Sequence, residues 1–238
     1  MHAAVKYYYN INKIFMSNLG IWPEQSVFMK IVLPTIITSF FFCIAFLEFV
    51  RLCEIWEKLT EDCESFIMVL LAFGASIKLL LIVFKNKNVE HLLSLIDYHW
   101  HVFTHALEMK IMHEYALVGR KMTISYAVII YSLMSLYMLI PVTPKLMDIF
   151  LPLNQSRPYK YLFDVDYSFD REVYYYPVLI YSYLTTVMAV SVMVVTDTSY
   201  LSLAQHACGL FAAIGYRILN YISFKRLTQK KITYFVPK

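Results

Sequence analysis

The residues of this chain most able to do chemistry are its histidines. Five of the seven lie close together, at positions 91, 99, 101, 105 and 113. His101 and His105 stand four residues apart, which predicts both on one face of a helix, as a zinc site requires. No Glu follows His101, so the H-E-x-x-H pattern of zinc proteases is missing. The set reads instead as imidazoles on the polar side of a surface helix, and no metal is assigned. No Ser-His-Asp or Cys-His arrangement is recognisable, so no catalytic residue is assigned and an enzyme is not expected. The five glycines, at 20, 74, 119, 209 and 215, form neither a G-x-G-x-x-G nor a G-x-x-x-x-G-K pattern. A phosphate-bearing cofactor therefore has no cradle. Cys53 and Cys63 are close enough in sequence for a disulfide if they face an oxidising compartment. Two free thiols are the alternative, and Cys43 and Cys208 read as inert.

The elements that must position these residues follow from where charge is missing. The chain has 238 residues, of which 59% are hydrophobic and only 16% charged. A soluble domain carries about 25% charged residues. So apolar a chain excludes a disordered, solvated one. Residues 31–47 contain no charge, and Glu48 comes just before Arg51 ends that run. Residues 65–84 carry only Lys78, and residues 122–144 and 173–196 carry none. Each run approaches the ~20 residues with which a helix crosses ~30 Å of hydrocarbon. The fold class is therefore all-α, an integral membrane helical bundle with spans near 31–50, 65–84, 123–141 and 174–196. Barrel strands would show ~10-residue alternating segments instead.

Lys and Arg at the flanks set the orientation. With the N-terminus inside, fourteen fall on the inner side and six on the outer. The N-terminus is accordingly expected in the cytosol, with the first span as its own insertion signal. Two stretches read as cytosolic helical extensions, 85–122 and 197–222. In the first, Val89, Leu92, Leu93, Ile96, Trp100, Phe103, Leu107 and Ile111 recur every three or four residues, an amphipathic pattern. The second is free of formal charge to residue 216 but more polar than the spans. It reads as the fourth helix leaving the membrane, and a fifth span is the alternative. The third loop, with Pro141, Pro144, Pro152 and Pro158, reads as an irregular outer cap. It holds the one N-x-S/T sequon, at Asn154, a glycosylation candidate on the side that this topology places outside. Lys78 sits in the inner half of its span and is expected to snorkel or to make a contact within the bundle. No linker divides the chain, so residues 1–238 read as a single transmembrane domain. The lipid bilayer is the expected environment and nucleic acid is not an expected partner.

The outer halves of three spans carry aromatic, Met and hydroxyl side chains at helical spacing. They are Phe66, Val69, Leu70 and Phe73; then Tyr131, Met134, Ser135 and Met138; then Val178, Tyr181, Ser182 and Thr185. Apolar walls with a few hydroxyls suit a small apolar ligand, and Met tolerates varied shapes. The everyday alternative for each residue is helix packing or lipid contact. As a set they are the candidate ligand site.

Several segments resemble the insect odorant receptors. Asn18-Leu19-Gly20-Ile21-Trp22-Pro23 is similar to the family's "G-x-W-P" entry. Lys78, the run Lys85–Leu93 and the closing Trp100 resemble the stretch that follows the second span. The Tyr161–Asp166 segment and the Tyr-rich start of the fourth span are also typical. Asp197, followed by Leu203-Ala204-Gln205-His206-Ala207-Cys208-Gly209-Leu210-Phe211, is similar to the "H-x-C-G-Q-F" helix, with Leu210 where Gln is usual. The resemblance runs to about residue 222.

It implies a seven-span subunit of an odorant-gated cation channel in the plasma membrane of olfactory sensory neurons. That channel is a hetero-tetramer with the shared co-receptor, and a small apolar odorant binds between outer helix halves. Four of the seven spans are present here, so residues 1–238 alone are expected to insert and conduct nothing. The tail from Lys225 does not resemble the family's fifth span. A gustatory-type chemoreceptor, or a membrane scaffold or regulatory fragment without channel activity, is the competing reading.

Overall fold

The computed structural model describes residues 2–54, 63–151, 157–163 and 173–235. Within its helices, the side chains of Arg51, Leu52, Glu54, residues 63–66, Met68, Phe224 and residues 226–235 are not described. The sequon at Asn154 and the side chains of Phe66 and Cys63 therefore lie outside the described residues.

The described residues form helices and no strand. In chain order these are α1 (Ala3–Tyr8), α2 (Asn10–Asn18), α3 (Val27–Glu54), α4 (Cys63–Phe84), α5 (Asn86–Val102) and α6 (Ala106–Met138). A 3₁₀ turn (Ile140–Val142), α7 (Thr143–Phe150) and α8 (Tyr175–Phe235) follow. α3, α6 and α8 are each long and apolar enough to cross a membrane. α4 and α5, bent by 67° across Lys85, pass the same test as a pair. The protein is thus an all-helical membrane bundle with three to four candidate spans.

A belt of exposed apolar side chains runs round the bundle, including Phe42, Phe46 and Phe49 on α3, Ile77 on α4, Leu133 and Leu136 on α6, and Ile180 on α8. Water would oppose so large an apolar surface, and lipid accommodates it. α8 is unbroken for 61 residues, about 90 Å at 1.5 Å per residue. That is roughly three times the hydrocarbon thickness.

Two details depart from the sequence reading. The helix α6 ends at Met138, where a 3₁₀ turn with Pro141 near its start interrupts it, and the candidate span continues to Phe150. Pro141 and Pro144 also do not break an irregular loop. They stand in the first turns of the 3₁₀ segment and α7, where a missing N–H costs nothing. Second, His101 and His105 do not share a helix. α5 stops at Val102, Phe103 takes an extended conformation, and His105 caps α6. The apolar stripe continues through this reversal because Trp100, Phe103 and Met112 are buried in one cluster.

We call the end of the bundle that carries residues 2–22 the inner end. Three apolar clusters stack from there outward. The inner one joins α1, α5, α6 and α8 around Trp100. The middle one joins Ile21 and Trp22 to α3, α4 and α8 through Phe41, Leu79 and Val192. The outer one gathers Ile44, Ala72, Leu162, Phe163 and Val178.

α6 and α8 pack closely where side chains are smallest. A Cβ on Gly119 would lie 3.2 Å from Gln205 Cβ, and one on Gly209 would lie 3.1 Å from Tyr115 Cβ. Such close approach lets the two helices pack at high density, where dispersion contacts are many.

The entry segment has a local explanation. Gly20 has φ +72°, its N–H bonds to Ser17 O, and the Ile21 N–H bonds to Met16 O. This is a Schellman stop for α2. It turns Ile21 and Trp22 into the middle cluster, and Asn86 Nδ2 donates to Ile21 O at 3.1 Å. The entry turn is thereby tied to the elbow between α4 and α5.

Candidate functional site

The outer cluster is built from tyrosines whose rings are apolar walls and whose hydroxyls are fixed. Tyr181 on α8 stacks on Phe40 of α3, with centroids 5.2 Å apart, and its hydroxyl donates to Phe40 O at 3.1 Å. Tyr137 on α6 donates to Leu162 O at 3.0 Å, which holds Leu162 and Phe163 of the cap against Val178 and Ala72. Tyr183 donates to Met138 O at 2.9 Å, and Tyr175 to Pro141 O at 3.3 Å. Four tyrosine hydroxyls thus join the spans to one another or to the cap, under a plug of two apolar cap residues.

The structure distributes the candidate ligand residues over several surfaces. Val178 and Tyr181 meet in the outer cluster. Ser182 and Thr185 are buried on the same helix, but their hydroxyls donate to Val178 O and Tyr181 O of their own backbone. Val69, Met134 and Met138 are half-buried. Leu70, Phe73 and Ser135 are exposed. Tyr131 lies deeper, donating to Ser191 Oγ at 3.1 Å. It borders a separate cavity of about 310 Å³ with Phe15, Ile37 and Met188.

The buried stripe of α4 is Ala72, Ala75, Leu79 and Ile82. Of the residues nominated on that helix, Leu70 and Phe73 are therefore on another face, and Val69 is half-buried beside the stripe. A helix that is apolar all round gives no sign of which face is inward. Cys53 is an exposed free thiol.

Four polar contacts were not legible as pairs. Lys78 Nζ on α4 lies 2.6 Å from Asp197 Oδ1 on α8, and Tyr126 on α6 donates to Asp197 Oδ2 at 2.9 Å. Lys78 thus makes a bundle contact that ties three helices together. Both charges stand nearly alone in their apolar runs. That was the available signal, since an intramembrane ion needs a partner.

Beyond the belt at the inner end, Arg217 of α8 donates through Nε and a terminal nitrogen to Glu108 of α6, at 2.7 and 2.5 Å. These hydrogen bonds hold the Glu108 carboxyl below its ordinary range, against burial, which alone would raise it. His206 Nε2 of α8 faces His99 Nδ1 of α5 at 3.3 Å. Burial, and then the neighbouring His99, push His206 down to about 4. The pair is therefore neutral at physiological pH.

A helical bundle with a lipid-facing apolar belt and a charge pair between its helices has the architecture of a polytopic membrane protein. Its sequence makes the class specific. The family model described as 7tm Odorant receptor matches residues 58–233, and the chain belongs to the odorant receptor family. Comparison with curated proteins and with solved structures gave no match. The matched range holds the Lys78–Asp197–Tyr126 contact, the Glu108–Arg217 pair and the outer cluster's contributions from α4, α6 and α8.

Proposed function

We propose that this chain is the ligand-binding part of an olfactory receptor subunit that takes small volatile odorants in the outer half of the bundle. The observation that carries this reading is the outer cluster. Val178 and Tyr181 there face Ala72, Ile44 and Phe163 across three spans and the cap. The site is apolar and tyrosine-walled, as small ligands with one polar group require. Of the nominated residues, Val178, Tyr181, Ser182 and Thr185 on α8 form the core, with Val69, Met134 and Met138 beside them. Leu70, Phe73 and Ser135, which are exposed, and Tyr131, which borders another cavity, are left out of it.

The inner end is cytosolic on this reading, with 85–122 and 197–222 as helical extensions below the membrane. Asn154 is then an outer glycosylation site. The subunit works in the plasma membrane of olfactory neurons, as part of a ligand-gated cation channel with the shared co-receptor. By the same reasoning residues 1–238 alone bind odorant without carrying current.

The test is thermal unfolding of the chain in lipid nanodiscs against a panel of volatile esters, ketones, alcohols and terpenes. At least one class should raise Tm saturably, and Val178→Trp, which adds bulk to the cluster, should reduce the rise. A panel without effect on wild type would overturn the ligand reading. Co-purification with the co-receptor from surface membranes tests the assembly, and failure to co-purify would overturn that part. Odorant-evoked current from residues 1–238 with the co-receptor would contradict the statement on conduction.

A further inference from the structure

At the inner end, below the outer cluster and separated from it by the middle one, the bundle forms a partly open cavity of about 250 Å³. That is the space of about eight water molecules at ~30 Å³ each. Three bodies line it: α2 with the entry turn, the elbow between α4 and α5, and α8 from Thr196 to Leu203. Its walls are chiefly apolar, with Met16, Trp22, Ile82, Leu93 and Leu203 among them.

One polar group in the lining is unusual. Asn12 is 95% buried, since only 5% of its surface is accessible. Its Oδ1 accepts a hydrogen bond from Ser202 Oγ at 3.4 Å, whereas its Nδ2 has no partner. A buried amide donor left without an acceptor is costly, and natural interiors seldom keep one without a use. Lys85, in the elbow, is the only charged residue among the described lining residues.

We propose that this cavity is a second ligand site, separate from the outer one. It takes a small neutral amphiphile, with an apolar body of about eight carbons and one oxygen that accepts from Asn12 Nδ2. A medium-chain alcohol or ketone meets both demands. The apolar body fills a wall set that water alone would wet poorly, and the oxygen satisfies the orphan donor. A charged ligand fits less well, because the donor at hand is a neutral amide, and Lys85 is exposed rather than buried beside it. The site touches the elbow, the entry turn and α8 together. Occupancy therefore stiffens the junction where the spans pass into the inner helices.

The experiment uses the full chain in phospholipid nanodiscs and 3-azioctanol as photoreactive probe, with peptide mapping of the label. Label is expected in peptides covering Tyr9–Trp22, Leu81–Leu93 or Thr196–Leu203, saturable and displaced by excess 1-octanol. Asn12→Leu keeps the volume and removes the donor, and should weaken inner labelling about tenfold, the scale of one lost hydrogen bond. Leu92→Trp, at a half-exposed wall position, should block it sterically and serves where the first variant does not fold.

Label at residues 178–185 should persist in both variants, so failure of the outer site and of this one are told apart. Inner label that neither variant reduces would overturn the proposal, and so would inner label that octanol cannot displace. The second would mean that a phospholipid chain holds the cavity. No inner label on folded wild-type protein would overturn it as well.

Discussion

Removing the Lys78–Asp197 contact should cost more singly than doubly. Lys78 lies six residues before the end of α4, so it sits about 9 Å inside that helix. Asp197→Asn keeps an acceptor for Tyr126 but strands the ammonium. Lys78→Met strands the carboxylate. An unpaired charge at a helix centre in a bilayer costs about 2.5–3.5 kcal/mol on insertion scales. The two side chains keep 35% and 33% of their exposure, which allows partial solvation. The expected loss for each single variant is therefore about 1.5–2.5 kcal/mol. The double variant removes both charges and leaves a polar contact to Tyr126. Its loss should be under about 1 kcal/mol, because a neutral replacement of an ion pair is often nearly free. The coupling is then at least about 2 kcal/mol, or at least about 4–8 °C in Tm for a chain of this size. Thermal unfolding of the four proteins in nanodiscs gives the cycle directly. Single effects that add within about 0.5 kcal/mol would refute the reasoning, since independent sites behave that way.

Further outcomes follow from the same geometry. Gly20→Ala would place a Cβ 2.6 Å from Met29 O at φ +72°, and should lower stability by at least about 1–2 kcal/mol, read as lower Tm and surface expression. Acidification should act in two windows. His206, held near 4 when folded against about 6.5 unfolded, contributes stability that is complete above about pH 6.5 and falls as pH drops toward 4. His206→Phe should flatten Tm across that window. Glu108, lowered by Arg217, contributes stability present above the ordinary Glu range of about 4.3 and lost as pH falls through its folded value. Glu108→Gln should remove the acid loss below that point and lower Tm at neutral pH.

Element positions were legible in the sequence because the bilayer imposes them. A run without charge long enough to cross hydrocarbon has one regular solution, and α3, α4, α6 and α8 contain the four runs. Rotation about each helix axis was not legible. On α4 the sequence offers Val69, Leu70 and Phe73 as readily as the buried Ala72, Ala75 and Leu79, since both faces are apolar. On α8 the small polar residues gave more guidance, and Val178, Ser182 and Thr185 are all buried.

The break at Phe103 carries no Gly or Pro, so one continuous stripe concealed two helices. The contacts that join α8 to the rest, Lys78 with Asp197 and Glu108 with Arg217, span more than a hundred residues. Local pattern cannot supply such pairings. Asn12 reads as an ordinary polar position in a short amphipathic helix, and only its burial marks it.

The account's central claim is that the outer cluster around Val178 and Tyr181 receives odorant. The most direct measurement is the affinity of the best panel volatile for the outer cluster, read as displacement of photolabel at residues 178–185, in wild type, Val178→Trp and Asn12→Leu in nanodiscs. Binding should weaken at least about tenfold in Val178→Trp, since bulk added to a packed pocket costs about 1–3 kcal/mol, and stay unchanged in Asn12→Leu. Unaltered affinity in Val178→Trp, or a loss only in Asn12→Leu, would contradict it.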